Sequence, residues 1–209
     1  MSLPARLLGT NPSIQVSALL SGTLTTPSAK GAFLDTSFES IATTTVGSGG
    51  AASVTFSSIP ATYAHLQIRG ISRNNKSGET ETTLFARFNS DSNSNYAYHR
   101  LIGDGSSASA LAAISDNAVY FYAAAAGASS GANIFGVSIW DILDYKSTTK
   151  NKTIRFLNGL DNNGSGRVTI MSGLWMNNTT AISSITIGSD GNHNFEQYSH
   201  FALYGIKGA

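Results

Sequence analysis

From residue 38 onward, apolar side chains recur at every second position in short runs. Val54/Phe56 and Leu66/Ile68 open the series, followed by Leu84/Ala86/Phe88 and Tyr96/Tyr98. Val119/Phe121/Ala123 alternates with Tyr120/Tyr122, and Phe135/Val137/Ile139 alternates with Ile134/Gly136/Trp140. Ile154/Phe156, Val168/Ile170/Leu174, Ile185/Ile187 and Phe201/Leu203 complete the set. A period of two puts alternate side chains on opposite faces of an extended chain, so each run predicts a strand. Clusters of Gly, Asn, Asp and Ser bound the runs, at 47–50, 74–78, 89–95, 103–107, 127–131, 161–166 and 188–192. These residues accept the tight turns and positive φ that hairpins need. About ten strands with regular turn signals predict an all-β fold, an antiparallel β-sandwich of jelly-roll-like type. Only Ala108–Ile114 and Ala123–Ala126 have helix-favouring composition, and each is short enough for a helical turn at most.

Residues 1–37 break the pattern. Their charged residues are Arg6, Lys30 and Asp35, and they hold Pro4, Pro12 and Pro27. Leu3, Leu7, Leu8, Ile14, Val16, Leu19 and Leu20 follow neither a helical nor a strand period. Such a segment builds no core of its own. One reading is a tail without fixed structure. The other is an arm that lies on another subunit, which the repeated Leu and Ile favour because unstructured tails are usually charged and poor in Leu. The chain thus divides into an arm, 1–37, and a sandwich, 38–209.

Composition narrows the function. The 209 residues carry 13 Lys+Arg against 12 Asp+Glu, a net charge of +1. That is no electrostatic case for nucleic acid or a membrane surface as partner. No apolar run approaches the ~18 residues of a membrane span. The first residues, with one Arg and a short Leu cluster, make a poor secretory signal. Cysteine is absent, which removes disulfides, thiol catalysis and Cys-ligated metals. Ser, Thr and Asn supply 66 of the 209 residues, so the surface is hydroxyl and amide rather than charge. Such a surface suits a sheet protein that meets other protein surfaces or carbohydrate.

Candidate chemistry is thin. Gly127-Ala128-Ser129-Ser130-Gly131 spells a nucleophile elbow, but an alternating run follows it where that chemistry needs a helix, so a loop is expected. Asp161-Asn162-Asn163-Gly164-Ser165-Gly166 opens like a calcium loop, yet the twelfth position is Ser172 and strands flank it; a hairpin turn explains the same residues. His65, His99, His193 and His200 show no metal-ligand spacing, and His65, His99 and His200 read as sheet-surface residues. Lys146, Lys150, Lys152 and Arg155 follow Asp141 and Asp144, which predicts a solvated hairpin with cross-strand ion pairs. The Asn-x-Ser/Thr sequons at Asn75, Asn151, Asn163, Asn177 and Asn178 are expected by chance here and read as unmodified. Eight tyrosines, from Tyr63 to Tyr204, suit subunit interfaces or sugar stacking. Twelve thinly spread acids form no catalytic pair, so the expectation is a protein that is not an enzyme and uses no metal or cofactor.

Several stretches resemble a family of virion proteins from tailed phages, cyanophages among them. They are Phe38–Tyr63, HLQIRGI from His65, IWDILDY from Ile139, DNNGSG from Asp161 and HFALYGIKG from His200. The resemblance covers roughly 38–209 and carries no catalytic signature. It implies a jelly-roll-like sandwich, found as capsid decoration (cement) proteins and in distal tail fibres or tailspikes, usually as trimers. A short apolar arm and one sandwich, without a long fibrous stem, favour the decoration role. The expected partners are the major capsid protein and two sister copies, with the outer capsid surface as location. Leu3, Leu7, Leu8, Ile14, Val16, Leu19 and Leu20 are then the arm-contact candidates. The alternative is a receptor-binding head, in which loops 74–81, 103–109 and 188–195 form one apical surface. Asn74, Asn75, Asp104, Asp190, Asn192 and His193 would there contact a host surface glycan.

Overall fold

The computed structural model describes residues 37–208. The arm candidates Leu3, Leu7, Leu8, Ile14, Val16, Leu19 and Leu20 therefore lie outside the described residues. Twelve strands form among the described residues: β1 Phe38–Thr45, β2 Ser53–Phe56, β3 His65–Ser72, β4 Glu81–Phe88, β5 Tyr96–Gly103 and β6 Ala108–Asp116. β7 Val119–Ala126, β8 Gly136–Leu143, β9 Lys152–Asp161, β10 Gly166–Trp175, β11 Ile185–Ser189 and β12 His200–Ile206 follow. No helix in this region is long and apolar enough to cross a membrane.

The strands make two antiparallel sheets that pack as a sandwich. One has eight strands in the order β1-β12-β3-β8-β9-β10-β5-β6, the other four in the order β2-β11-β4-β7. The pairs β1–β12 and β3–β8 lie in the large sheet, and β2–β11 and β4–β7 lie in the small one. That is the connectivity of one two-stranded ribbon folded over both sheets, the way a jelly roll is wound. Two hairpins are added to it. β9–β10 and β5–β6 pair with each other and with β8, and they widen only the large sheet.

The core lies between the sheets. Phe121 stacks on Trp140 at a centroid distance of 4.1 Å, with Phe156 closing the cluster. Phe88, Tyr96 and Trp175 form a second group beneath it. Burial pushes the Tyr96 hydroxyl up to about 12. Burial alone would raise the Asp91 carboxyl. Hydrogen bonds from Asn95, from Asn93 and from the Trp175 indole outweigh that and hold it low.

Both expected helical turns are strands. Ala108–Ile114 belongs to β6 and pairs along β5. Ala123–Ala126 ends β7, where small side chains let the sheets close and other strands hold the backbone. Asn158 Nδ2 donates to the Ala123 carbonyl, Ser72 Oγ to that of Ala124 and Thr82 Oγ1 to that of Ala125. Gly136 faces this stretch, and a Cβ there would stand 2.8 Å from the Ala124 oxygen. Tertiary pairing thus overrides the helix propensity of alanine.

Two expected turns form as read. Residues 127–131 lie in the β7–β8 loop, and 162–165 turn β9 into β10 with positive φ at Asn163 and Gly164. The lysine run is a partial exception. Lys150 pairs with Asp144 at 2.9 Å and Arg155 with Asp141 at 2.6 Å. Lys152 instead points inward, where its Nζ donates to the Asn177 and Thr180 carbonyls and sits over the Trp175 ring. Burial lowers its pKa.

Candidate functional site

Because every ladder between the twelve strands is antiparallel, the connections alternate between the two ends of the sandwich. The chain enters at Ser37 and leaves through Lys207 side by side, where the Lys207 amide donates to the Ser37 carbonyl. The opposite end, the apex, gathers loops 46–52, 73–80, 104–107, 127–135, 162–165 and 190–199. Isolated bridges join Ala51 and Asn74 to Phe195, and Gly131 N donates to Asn162 Oδ1 at 3.0 Å.

Arg73, just past the end of β3, organises this apex. Its Nε donates to Glu196 Oε2 at 2.8 Å. Its Nη1 donates to the Gly131 and Ile134 carbonyls at 3.0 and 3.2 Å. Its Nη2 donates to those of Ala128 and Ser130 at 3.2 and 3.4 Å. One planar fork thereby fixes two loops that have no strand of their own.

Between these loops lies a cleft of about 550 Å³, lined among others by Gly50, Arg73, Asn75, Asn133, Asn194, Gln197 and Tyr198. Gly50 has φ +70°, and a Cβ there would approach the Phe195 carbonyl oxygen to 2.9 Å. Tyr198 is 66% exposed at φ 72°. A bulky residue in that region costs of order 1 kcal/mol or more and persists only where its surroundings impose it. Here its amide donates to the Val46 carbonyl at 3.0 Å, and the Ser199 amide donates to that of Glu196. The result is an aromatic face presented beside side-chain amides and one carboxylate.

The candidate loop residues separate. Asn74 is fully buried, its amide nitrogen donating to Thr82 Oγ1 at 2.6 Å and Ser189 Oγ at 2.7 Å, so it is no ligand contact but part of the scaffold. Asn75 does line the cleft, accepting from the Asn194 amide. Asp104 caps its own turn through the Ser106 and Ser107 amides, which lower its pKa. Asp190 lies in a different groove, with Arg100, Tyr120 and Tyr122. Asn192 and His193 occupy the turn beside Gly191. Arg73, Asn133, Gln197 and the exposure of Tyr198 have no signal in the alternation. Tyr198 was visible only as one of eight tyrosines.

A second surface is larger. On the outer face of the eight-stranded sheet, the registers align Ile71, Val137, Gly159, Val168 and Gly103 in one row. The next row runs Arg69, Ile139, Leu157, Ile170, Leu101 and Ala110. Ile71, Val137, Leu157, Val168, Ile170 and Leu101 are each 44–55% exposed. At the ~4.8 Å spacing of strands, the band is roughly 24 Å wide. Six half-exposed aliphatic side chains amount to roughly 500 Å² of apolar surface, within the ~300–600 Å² range of a monomer's largest patch, which is often functional.

A polar row borders the band. Arg69 Nε donates to Gln67 Oε1 at 2.9 Å and Gln67 Nε2 to Asp141 Oδ1 at 2.8 Å, while Arg155 pairs with the other Asp141 oxygen. Four further carboxylates are paired: Glu81 with Arg167, Glu196 with Arg73, Asp144 with Lys150, Glu39 with Lys207. Among the described residues no group of three or more metal-ligating side chains converges. Comparison with protein-family models, with curated proteins and with solved structures finds no match to this chain.

Proposed function

We propose that this chain is a non-enzymatic virion structural protein of the capsid decoration type, which binds the major capsid protein and stabilises the shell. The observation that carries the reading is the apolar band from Ile71 to Leu101 on the outer sheet face. An apolar band of this size is often a functional surface, and a capsid subunit seated on it would cover it. Seated on a shell, it adds buried area that rupture must expose, and a trimer multiplies the effect by avidity for one lattice site. The arm, 1–37, supplies further apolar contacts. The test is the number of copies per particle, counted by quantitative mass spectrometry against the major capsid protein. Hundreds of copies are expected. Absence from the particle overturns the reading, and a few to a few dozen copies move it to the tail or a vertex.

The Tyr198 cleft favours a second reading, recognition of a hydroxyl-rich host glycan at the apex. Saccharide rings pack their apolar face on an aromatic ring while amides hold their hydroxyls. Tyr198→Ala should then cost at least tenfold in affinity on a glycan array, while Tyr198→Phe keeps the stacking face and most of the binding. Equal binding by all three proteins would remove the cleft from consideration.

A further inference from the structure

β6 closes one edge of the eight-stranded sheet, and its outer side has no neighbour among the described strands. Sheet edges of this length are usually blunted by charges, prolines or bulges, because their free N–H and C=O groups pair with any strand that approaches. β6 carries none of these devices over most of its length. From Gly105 to Ser115 the chain has no charged residue and no proline. Its pairing to β5 is regular from Ala108 to Ala113, and the irregularity comes only beyond, with positive φ at Ser115. Leu111 is 45% and Ile114 77% exposed.

We propose that β6 pairs antiparallel with β6 of a second copy about a two-fold axis at Leu111. A second copy fits this edge for three reasons. First, self-pairing over 108–114 opposes no charges, because this stretch has none. Second, the side chains complement one another in that register. Leu111 meets its own counterpart on the inner side, beyond the cover of the small sheet, and Ala110 faces the partner's Ala112 on the outer side. Ile114 of the partner comes opposite Ala108, next to Gly103 and one strand from Val168, where the apolar row has the least side chain. Third, the pairing is isologous and closes, so it makes dimers rather than open chains.

The joined sheet would run through sixteen strands, twice the eight of one copy, with both apolar bands on the same side. This contact is separate from a trimer axis; between trimers on a shell it joins neighbours across two-folds. It also stands whether or not the band binds a capsid. Edge pairing over seven residues covers roughly 400 Å² per copy, about half of a standard interface. The association is therefore weak in dilute solution and effective where copies are crowded.

The chain has no cysteine, so single cysteines report the geometry directly. In the full-length protein, Leu111→Cys places two thiols across the axis, within disulfide reach. Ser109→Cys lies four residues from its counterpart in the same register, about 13 Å away, and cannot bridge. At high protein concentration under mild oxidation, L111C should form a covalent dimer and S109C should not. Leu111→Lys puts two like charges on the axis and should lower the sedimentation-measured association at least tenfold without changing the melt. Equal cross-linking of the two cysteine variants, no cross-linking of L111C, or unchanged association of L111K would each overturn the proposal.

Discussion

Under the capsid-decoration proposal, a chain carrying Leu157→Glu and Ile170→Glu should fold as its parent does and fail to join the shell. The two residues are cross-strand partners on β9 and β10, at the middle of the apolar band. They are 48% and 55% exposed, so the folded monomer loses little by their replacement. Two carboxylates on neighbouring strands repel each other, which costs a few tenths of a kcal/mol. In a complex the cost is of another order. Each carboxylate would be pressed against apolar surface with no partner, at least about 2 kcal/mol apiece. A combined ~4 kcal/mol is a thousandfold in affinity. The check is co-sedimentation with purified shells alongside a thermal melt. The milder pair Leu157→Ser and Ile170→Thr removes apolar area without adding charge and should weaken attachment by about tenfold to a hundredfold. Undiminished attachment of the double Glu variant, with an unchanged melt, would show that the outer face is not the contact.

This band also marks where the sequence misleads. On β10 the apolar alternation reads Val168/Ile170/Leu174, and a strand half-buried in a monomer should turn that phase inward. The structure turns Val168 and Ile170 outward and sends Thr169, Met171, Gly173 and Trp175 to the core. Alternation locates a strand and says nothing about which face meets the core when both phases contain apolar residues. β8 poses the same ambiguity, with Trp140 and Ile142 inside and Val137 and Leu143 outside. Strand existence and hairpin turns were legible because they rest on local chemistry, as at Asp161–Gly166. β6 was not, because an Ala/Ser/Leu run carries no period-two signal and becomes a strand only through its pairing with β5. The apex was legible in part. Its loops announce themselves by Asn and Gly, but the positive φ of Tyr198 and the reach of Arg73 are set by neighbours distant in sequence.

Arg73 is where that long-range dependence should have its largest effect on the fold. Arg73→Met is expected to lower stability by about 3 kcal/mol, because it strips donors from four loop carbonyls and leaves Glu196 without its partner. Met keeps the aliphatic stem, so the loss reports the guanidinium and not packing. Lys in the same place should recover little, since an ammonium cannot serve four carbonyls and a carboxylate from one plane. The loss should also be local in character. Backbone amides of residues 127–135 and 194–199 should exchange rapidly with solvent, while those of β9 and β10 keep their protection up to the reduced global limit. Tyr198 is held in its strained conformation by this same loop network, so the cleft should lose its shape and any saccharide affinity with it. Attachment to shells should survive, since the apolar band does not depend on the apex. Loop amides that stay as protected in R73M as in the parent would mean that the loops hold themselves, and Arg73 would then be a surface ion pair of little consequence.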